Sequence, residues 1–158
     1  MLRVKKKSLH RGPHILMIEA RFYPQISDLL AEGACACLER AETTWDKVQV
    51  PGVFEIPAAL AMALGSEEIY GQPLYDGFIV LGCVIRGETT HYDYVCSESA
   101  RGINHLAMQH ALALGYGILT VENLGQAIKR ADPAQSNKGA VSAQACLDMI
   151  ALSAKFEQ

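Results

Sequence analysis

The chain predicts an α/β fold: a three-layer α/β/α sandwich around a four-stranded parallel sheet. Three observations predict it. Short runs of β-forming residues alternate with longer stretches whose apolar residues recur at helical spacing, in the order β-α-β-α-β-α-β-α-α. Runs such as His14-Ile15-Leu16-Met17-Ile18-Glu19-Ala20 are too apolar for a strand with one wet face, so helices must cover both sides of the sheet. The polar residues able to do chemistry gather at strand carboxyl ends or in the loops after them, where open α/β sheets bind ligands.

His14–Ala20 is the first strand. Arg21-Phe22-Tyr23-Pro24 follows, and Pro24 opens a helix with Ile26, Leu29, Leu30, Gly33, Cys37, Leu38 and Ala41 on one face. Phe22 thus stands at a strand end. It either offers its ring to a planar ligand or closes the end of the core. Residues 45–50 alternate and make a second strand, suited to a sheet edge. In Pro51-Gly52-Val53-Phe54-Glu55-Ile56-Pro57, two prolines and a glycine hold the turn extended, and Pro57 begins a helix bearing Leu60, Ala61 and Leu64. Glu55, between Phe54 and Ile56, is expected in apolar surroundings, where a carboxylate needs a partner. A polyhydroxy ligand, a salt bridge or a helix start would each supply one.

Residues 65–73 read as a surface connection, and residues 76–82 (DGFIVLG) as a third strand buried on both faces. Gly87-Glu88-Thr89-Thr90 then joins this strand to a helix. Thr90-x-x-Asp93 has the form of a capping box, and Val95, Ile103, Leu106 and Leu114 continue at near-helical spacing. Unpaired first-turn N–H groups and the helix dipole favour an anion at such a junction, so the loop reads as a phosphate site or as an ordinary βα connection. His91 sits beside it. An imidazole there could accept and donate protons near neutral pH, or simply cap the helix.

Residues 115–121 are the fourth strand, and residues 122–130 a short amphipathic helix. Arg130 and Lys138 flank the turn 131–137, and Asn137 can cap a final helix bearing Val141, Ala145, Met149 and Leu152.

Composition narrows the function. The chain has 158 residues, half of them hydrophobic and 20% charged, which suits one domain with a real core. Residues 1–13, with the cluster Lys5-Lys6-Lys7, read as a flexible segment ahead of a single domain at 14–158. A net charge of −3 gives no nucleic-acid surface. No apolar run reaches the ~18 residues of a membrane span, and the start lacks the apolar core of a signal peptide, so the expected location is cytoplasmic. Cys35, Cys37, Cys83, Cys96 and Cys146 show neither CxxC nor zinc spacing and read as buried reduced thiols.

A set of motifs then occurs in order: Ala20-Arg21-Phe22, Val50-Pro51-Gly52-Val53-Phe54-Glu55-Ile56-Pro57, Gly82-Cys83-Val84-Ile85-Arg86-Gly87-Glu88-Thr89-Thr90-His91-Tyr92-Asp93-Tyr94-Val95, Leu119-Thr120-Val121-Glu122-Asn123 and Asn137-Lys138-Gly139. With these, the chain resembles the lumazine synthase family of riboflavin biosynthesis from about His14 to the last helix. The resemblance implies a flavodoxin-like fold and a transferase that needs no cofactor or metal. Its reaction joins 5-amino-6-(D-ribitylamino)uracil to 3,4-dihydroxy-2-butanone 4-phosphate, with release of phosphate and two waters. Phe22 would stack on the pyrimidine, and Val53, Phe54 and Glu55 would hold the ribityl chain. Cys83, Val84 and Ile85 would line the heterocycle site by their backbone. Gly87, Glu88 and Thr89 would cradle the phosphate, and His91 would shuttle protons.

The resemblance also implies a homopentamer with active sites between subunits. The adjacent chain would supply Tyr116 to cover the ring, Lys138 near the uracil carbonyl and Arg130 for the phosphate. Some residues depart from the family's pattern. Tyr23 stands where Asn is usual and Tyr116 where Phe is usual, and a helical-looking segment, 110–114, replaces the usual lead into the fourth strand. Residues 132–136 replace a Gly-rich turn that affects shell assembly, which points to a free pentamer or a dimer of pentamers. Two rivals stand beside the enzyme: a lumazine- or flavin-binding paralogue with little turnover, and a shell-forming structural protein.

Overall fold

The computed structural model describes residues 12–156, so the expectations for residues 1–11 lie outside the described residues. Four parallel strands form the sheet: β1 (His14–Ala20), β2 (Thr44–Val50), β3 (Gly77–Ile85) and β4 (Leu114–Val121), in the order β2-β1-β3-β4. Among the described residues five α-helices surround it: α1 (Pro24–Arg40), α2 (Ile56–Tyr70), α3 (His91–Gln109), α4 (Leu124–Ala131) and α5 (Lys138–Phe156). The expected three-layer sandwich is therefore the observed one.

Alternation along β1 assigns the two faces. Ile15 and Met17 pack with α1, α4 and α5, whereas Leu16, Ile18 and Ala20 pack with α2 and α3. Both layers are clusters of buried apolar side chains. Ile79 in β3 is completely buried, and truncating such a side chain to Ala costs about 2–5 kcal/mol in transfer and cavity terms. β2 is an edge strand, as its alternation predicts.

Four local expectations need correction. The third strand continues beyond residue 82 to Ile85, because β4 pairs with it through Ile85↔Val121. Residues 65–70, read as connection, are helical. One Gly inside a helix costs only about 1 kcal/mol, and α2 stops where Gly71 takes a φ of +70°. Leu114 belongs to β4, so the fourth strand begins earlier than residue 115 and the third helix ends sooner. The final helix packs by a different face from the one its apolar residues mark. Gly139, Ser142, Ala143 and Cys146 are buried, whereas Val141 is 53% exposed and Ala145, Met149 and Leu152 are also exposed. Small residues decide this. A Cβ on Gly139 would collide with the Leu30 carbonyl, and one on Gly115 with the Ser142 carbonyl, so α5 lies directly against α1 and β4.

The cysteines are all free, but only Cys37, Cys83 and Cys146 are buried; Cys35 and Cys96 are half-buried on helix flanks. Among the described residues no helix is long and apolar enough to cross a membrane.

Candidate functional site

β1, β2 and β3 end on one rim of the sheet, and each hands its chain to a segment expected to carry function. After β1, Phe22 stands 67% exposed, with Tyr23 meeting its ring edge-on at a centroid distance of 5.0 Å. The ring is thus not a core aromatic. Tyr23 packs inward toward Cys83, and burial raises its phenol pKa.

After β2, Val53–Glu55 forms one 3-10 turn, closed by the Glu55 amide donating to the Gly52 carbonyl at 3.2 Å. Val53 is buried. Its methyl would lie 2.6 Å from a Cβ on Gly82, so the glycine inside β3 makes the room that seats this turn. Any ligand contact by Val53 therefore falls to its backbone. Phe54 and Glu55 are exposed. The expectation that Glu55 sits among apolar groups is overturned, because the turn spends Val53 and Ile56 on the core and aims the two residues between them outward.

β3 ends in Cys83, Val84 and Ile85, the first buried and the other two half-buried. Burial, and next the nearby Cys96, pushes the Cys83 thiol up to about 11. It stays protonated near neutral pH and is no thiolate nucleophile. Gly87, Glu88, Thr89 and Thr90 follow, all exposed, and a Cβ on Gly87 would meet nothing. His91 is the first residue of α3 and is exposed, with its amide donating to Thr89 Oγ1 at 3.4 Å.

The expected capping box does not form. Thr90 has helical φ and ψ and no side-chain cap, and Asp93 turns instead to Arg86 at 3.3 Å. Arg86 also donates from Nε to Glu122 at 2.8 Å and lies 4.2 Å over the Tyr92 ring. Its amide donates to the Val121 carbonyl, so the loop is fastened to the end of β4. The bond to Glu122, followed by the one to Asp93, holds the Arg86 pKa above its ordinary value. Reading the sequence missed this fastening; its one trace is a basic residue at the end of an apolar strand.

Tyr116, Arg130 and Lys138 lie elsewhere. They line one open groove of about 270 Å³ with Gly117, Ile118, Leu119, Thr120 and Val141, along the free edge of β4 and the helices beside it. Arg130 Nη1 donates to the Gln126 carbonyl at 3.1 Å, which lays the guanidinium along its own helix. Tyr116 is the third residue of β4, not at its carboxyl end. From its pairing with Val80 to Ile85 at the end of β3 is roughly 16 Å of strand at about 3.3 Å per residue. β4 is also two strand spacings from β1, roughly 10 Å at about 4.8 Å each. One chain thus presents two features: a rim with an exposed aromatic ring, an exposed carboxylate, an open loop and a histidine, and a cationic groove with a phenol.

Comparison with known proteins gives one answer along nearly the whole chain. A family model described as 6,7-dimethyl-8-ribityllumazine synthase matches residues 12–154. A protein of that name from Bartonella tribocorum is 47% identical over 150 residues, covering 95% of this chain and 96% of its own. One from Bartonella henselae is 51% identical over 143 residues, 90% of each chain. The 6,7-dimethyl-8-ribityllumazine synthase 1 of Rhizobium meliloti is 54% identical over 140 residues, covering 88% of this chain and 90% of its own. With this match laid over the sheet, the rim and the groove, the chain belongs to the 6,7-dimethyl-8-ribityllumazine synthase family.

Proposed function

We propose that the protein is a 6,7-dimethyl-8-ribityllumazine synthase, a transferase that condenses 5-amino-6-(D-ribitylamino)uracil with 3,4-dihydroxy-2-butanone 4-phosphate in riboflavin biosynthesis. The observation that carries this reading is the family match over residues 12–154, which includes the motifs holding Phe22, Glu55, His91 and Lys138 and also spans Arg130.

The roles follow from what each group offers. Phe22 presents a ring face to the pyrimidine. Glu55 accepts from ribityl hydroxyls, with the Val53 and Phe54 backbone beside it, and the main chain of Cys83, Val84 and Ile85 borders the heterocycle. Gly87, Glu88 and Thr89 offer main-chain N–H groups to the phosphate at the start of α3. Arg130 adds a charged donor fork, Lys138 faces the uracil carbonyl, and Tyr116 covers the ring.

The amine of the pyrimidine is the nucleophile, so the protein needs none of its own. After the imine forms, phosphate departs, the skeleton tautomerises and the second ring closes. Each step moves a proton, and His91 beside the phosphate loop is placed to accept and return it. Holding two substrates in one geometry supplies much of the remaining acceleration.

Tyr116 stands roughly 16 Å of strand, at about 3.3 Å per residue, from the end of β3, and this supports a site that a second subunit completes. The rim of one subunit and the groove of its neighbour form each site, in a cytoplasmic homopentamer, free or paired as a dimer of pentamers. The test is absorbance on mixing the protein with both substrates, corrected for the uncatalysed condensation. Product above background is the expected result. Product at the background rate overturns the reading, and tight binding of lumazine or riboflavin with it would mark a carrier.

A further inference from the structure

We infer that Glu19, acting through Arg21, is the positioning residue for the Phe22 ring, and so sets how tightly the chain holds the planar half of its substrates. This rests on the reading of Phe22 as the pyrimidine platform. Glu19 is the penultimate residue of β1 and its side chain is wholly buried, an expensive place for a carboxylate unless its oxygens are fully met. They are met. Arg21 Nη1 donates to Oε1 at 2.9 Å and Gln49 Nε2 to Oε2 at 3.2 Å, while Lys47 Nζ lies 3.5 Å from Oε2. Lys47 and Gln49 are alternate residues of the edge strand β2, so the carboxylate joins β1 to its neighbour where the sheet ends.

Arg21 carries the constraint across the loop. The same Nη1 donates to Asp28 Oδ1 at 2.8 Å, which ties the end of β1 to the first turns of α1, with Phe22 and Tyr23 strung between. The backbone is fixed on both sides of the ring. The Arg21 amide donates to the Val50 carbonyl at 3.1 Å, the Ser27 amide to the Tyr23 carbonyl at 3.0 Å, and the Ser27 hydroxyl to the Ala20 carbonyl at 2.9 Å. Among the described residues Tyr23 meets the Phe22 ring edge-on and Gly52 lies beside it, a Cβ there falling 4.0 Å from the ring, while the rest of the side chain is exposed. An exposed ring on an immobilised backbone is a preorganised platform, which spares the ligand the cost of ordering it. Stability alone does not account for the carboxylate, since replacing a whole buried ion cluster by apolar side chains of similar volume is often neutral or stabilising.

The test is steady-state kinetics of Glu19→Gln and Asp28→Asn with each substrate varied in turn, beside calorimetric titration of the aminopyrimidine alone. Glu19→Gln should raise KM and Kd for the pyrimidine about tenfold and Asp28→Asn about threefold, with KM for the four-carbon phosphate within about twofold of the parent. Asp28 is 69% exposed on its side chain, so that variant decides the matter if Glu19→Gln fails to fold. An unchanged pyrimidine KM and Kd, or equal loss for both substrates, overturns the inference. A parent that binds the pyrimidine but makes no product overturns the synthase reading instead, and the titration still decides on Glu19. A parent that does not bind the pyrimidine overturns both.

Discussion

The loops after β1 and β3 do the same architectural job and are fastened in opposite ways. The first, which carries Phe22, is held by a carboxylate with no exposure at all. The second, which carries residues 87–91, is held by Arg86 to Glu122 and Asp93, whose side chains are 57% and 60% exposed. The chemistry each loop is proposed to serve accounts for the difference. A flat ring binds a flat ligand only at one tilt, so its backbone must not move. A phosphate is nearly round and accepts N–H donors from many directions, so its loop can stay mobile enough to admit and release it. Interior ion clusters hold geometry, whereas exposed pairs compete with water and salt and hold it loosely.

The sharpest way to break this comparison is to remove the group that the second loop presents. His91→Ala should slow turnover about 100-fold, the lower end for a positioned acid–base group, and leave particle size and secondary structure unchanged. Equal rates for variant and parent would remove His91 from the mechanism. Next in size is Arg130→Ala, which should raise KM for the phosphorylated substrate about tenfold through loss of a charge-assisted fork. Mixing Arg130→Ala chains with His91→Ala chains should restore part of the activity, because some interfaces then hold both intact halves. No recovery in reassembled mixtures would refute a site shared between subunits.

Arg86→Met should have a smaller effect, about two- to threefold on the same KM, since the pairs it removes are exposed. A loss as large as that expected for Glu19→Gln would mean the two loops are not held differently after all. The smallest effect concerns Cys83, which lies beneath both loops. Its folded pKa is raised from an ordinary 9.0 to about 11, so between those values the folded chain binds the proton that the unfolded chain has lost. The Cys83 contribution to stability should be full below pH 9.0, be lost toward about 11 and then level off, so Cys83→Ala should flatten that part of the decline in thermal melts.

Much of this was legible in the chain. Apolar runs and helical spacing place the strands to within a few residues and the sandwich as a whole, and the motif around His91 marks the second loop. Glu19 was legible only as a charged letter in an apolar strand, because its partners Lys47 and Gln49 come from a strand about 30 residues away. Asp93 looked like the second half of a capping box, yet the Arg86 guanidinium offers it a charged donor and Thr90 is left uncapped. Glu55 was expected inside because its neighbours are apolar; both neighbours do not point the same way as the turn closes, and only Ile56 is buried.

By itself, then, the sequence determined the element order, the parallel sheet, the rim on which three loops meet and the family to which their residues belong. Periodicity records which face of a local element avoids water, and motif spacing records what must adjoin along the chain. Tertiary structure alone decided that β4 is an edge, that Tyr116, Arg130 and Lys138 share a groove apart from His91, and that the apolar stripe of α5 faces outward while its small residues meet the sheet. Those outcomes depend on which surfaces approach closely enough to exclude a side chain. The collisions a Cβ would make at Gly115 and Gly139 are set by backbones far apart in the chain, and no local pattern carries them.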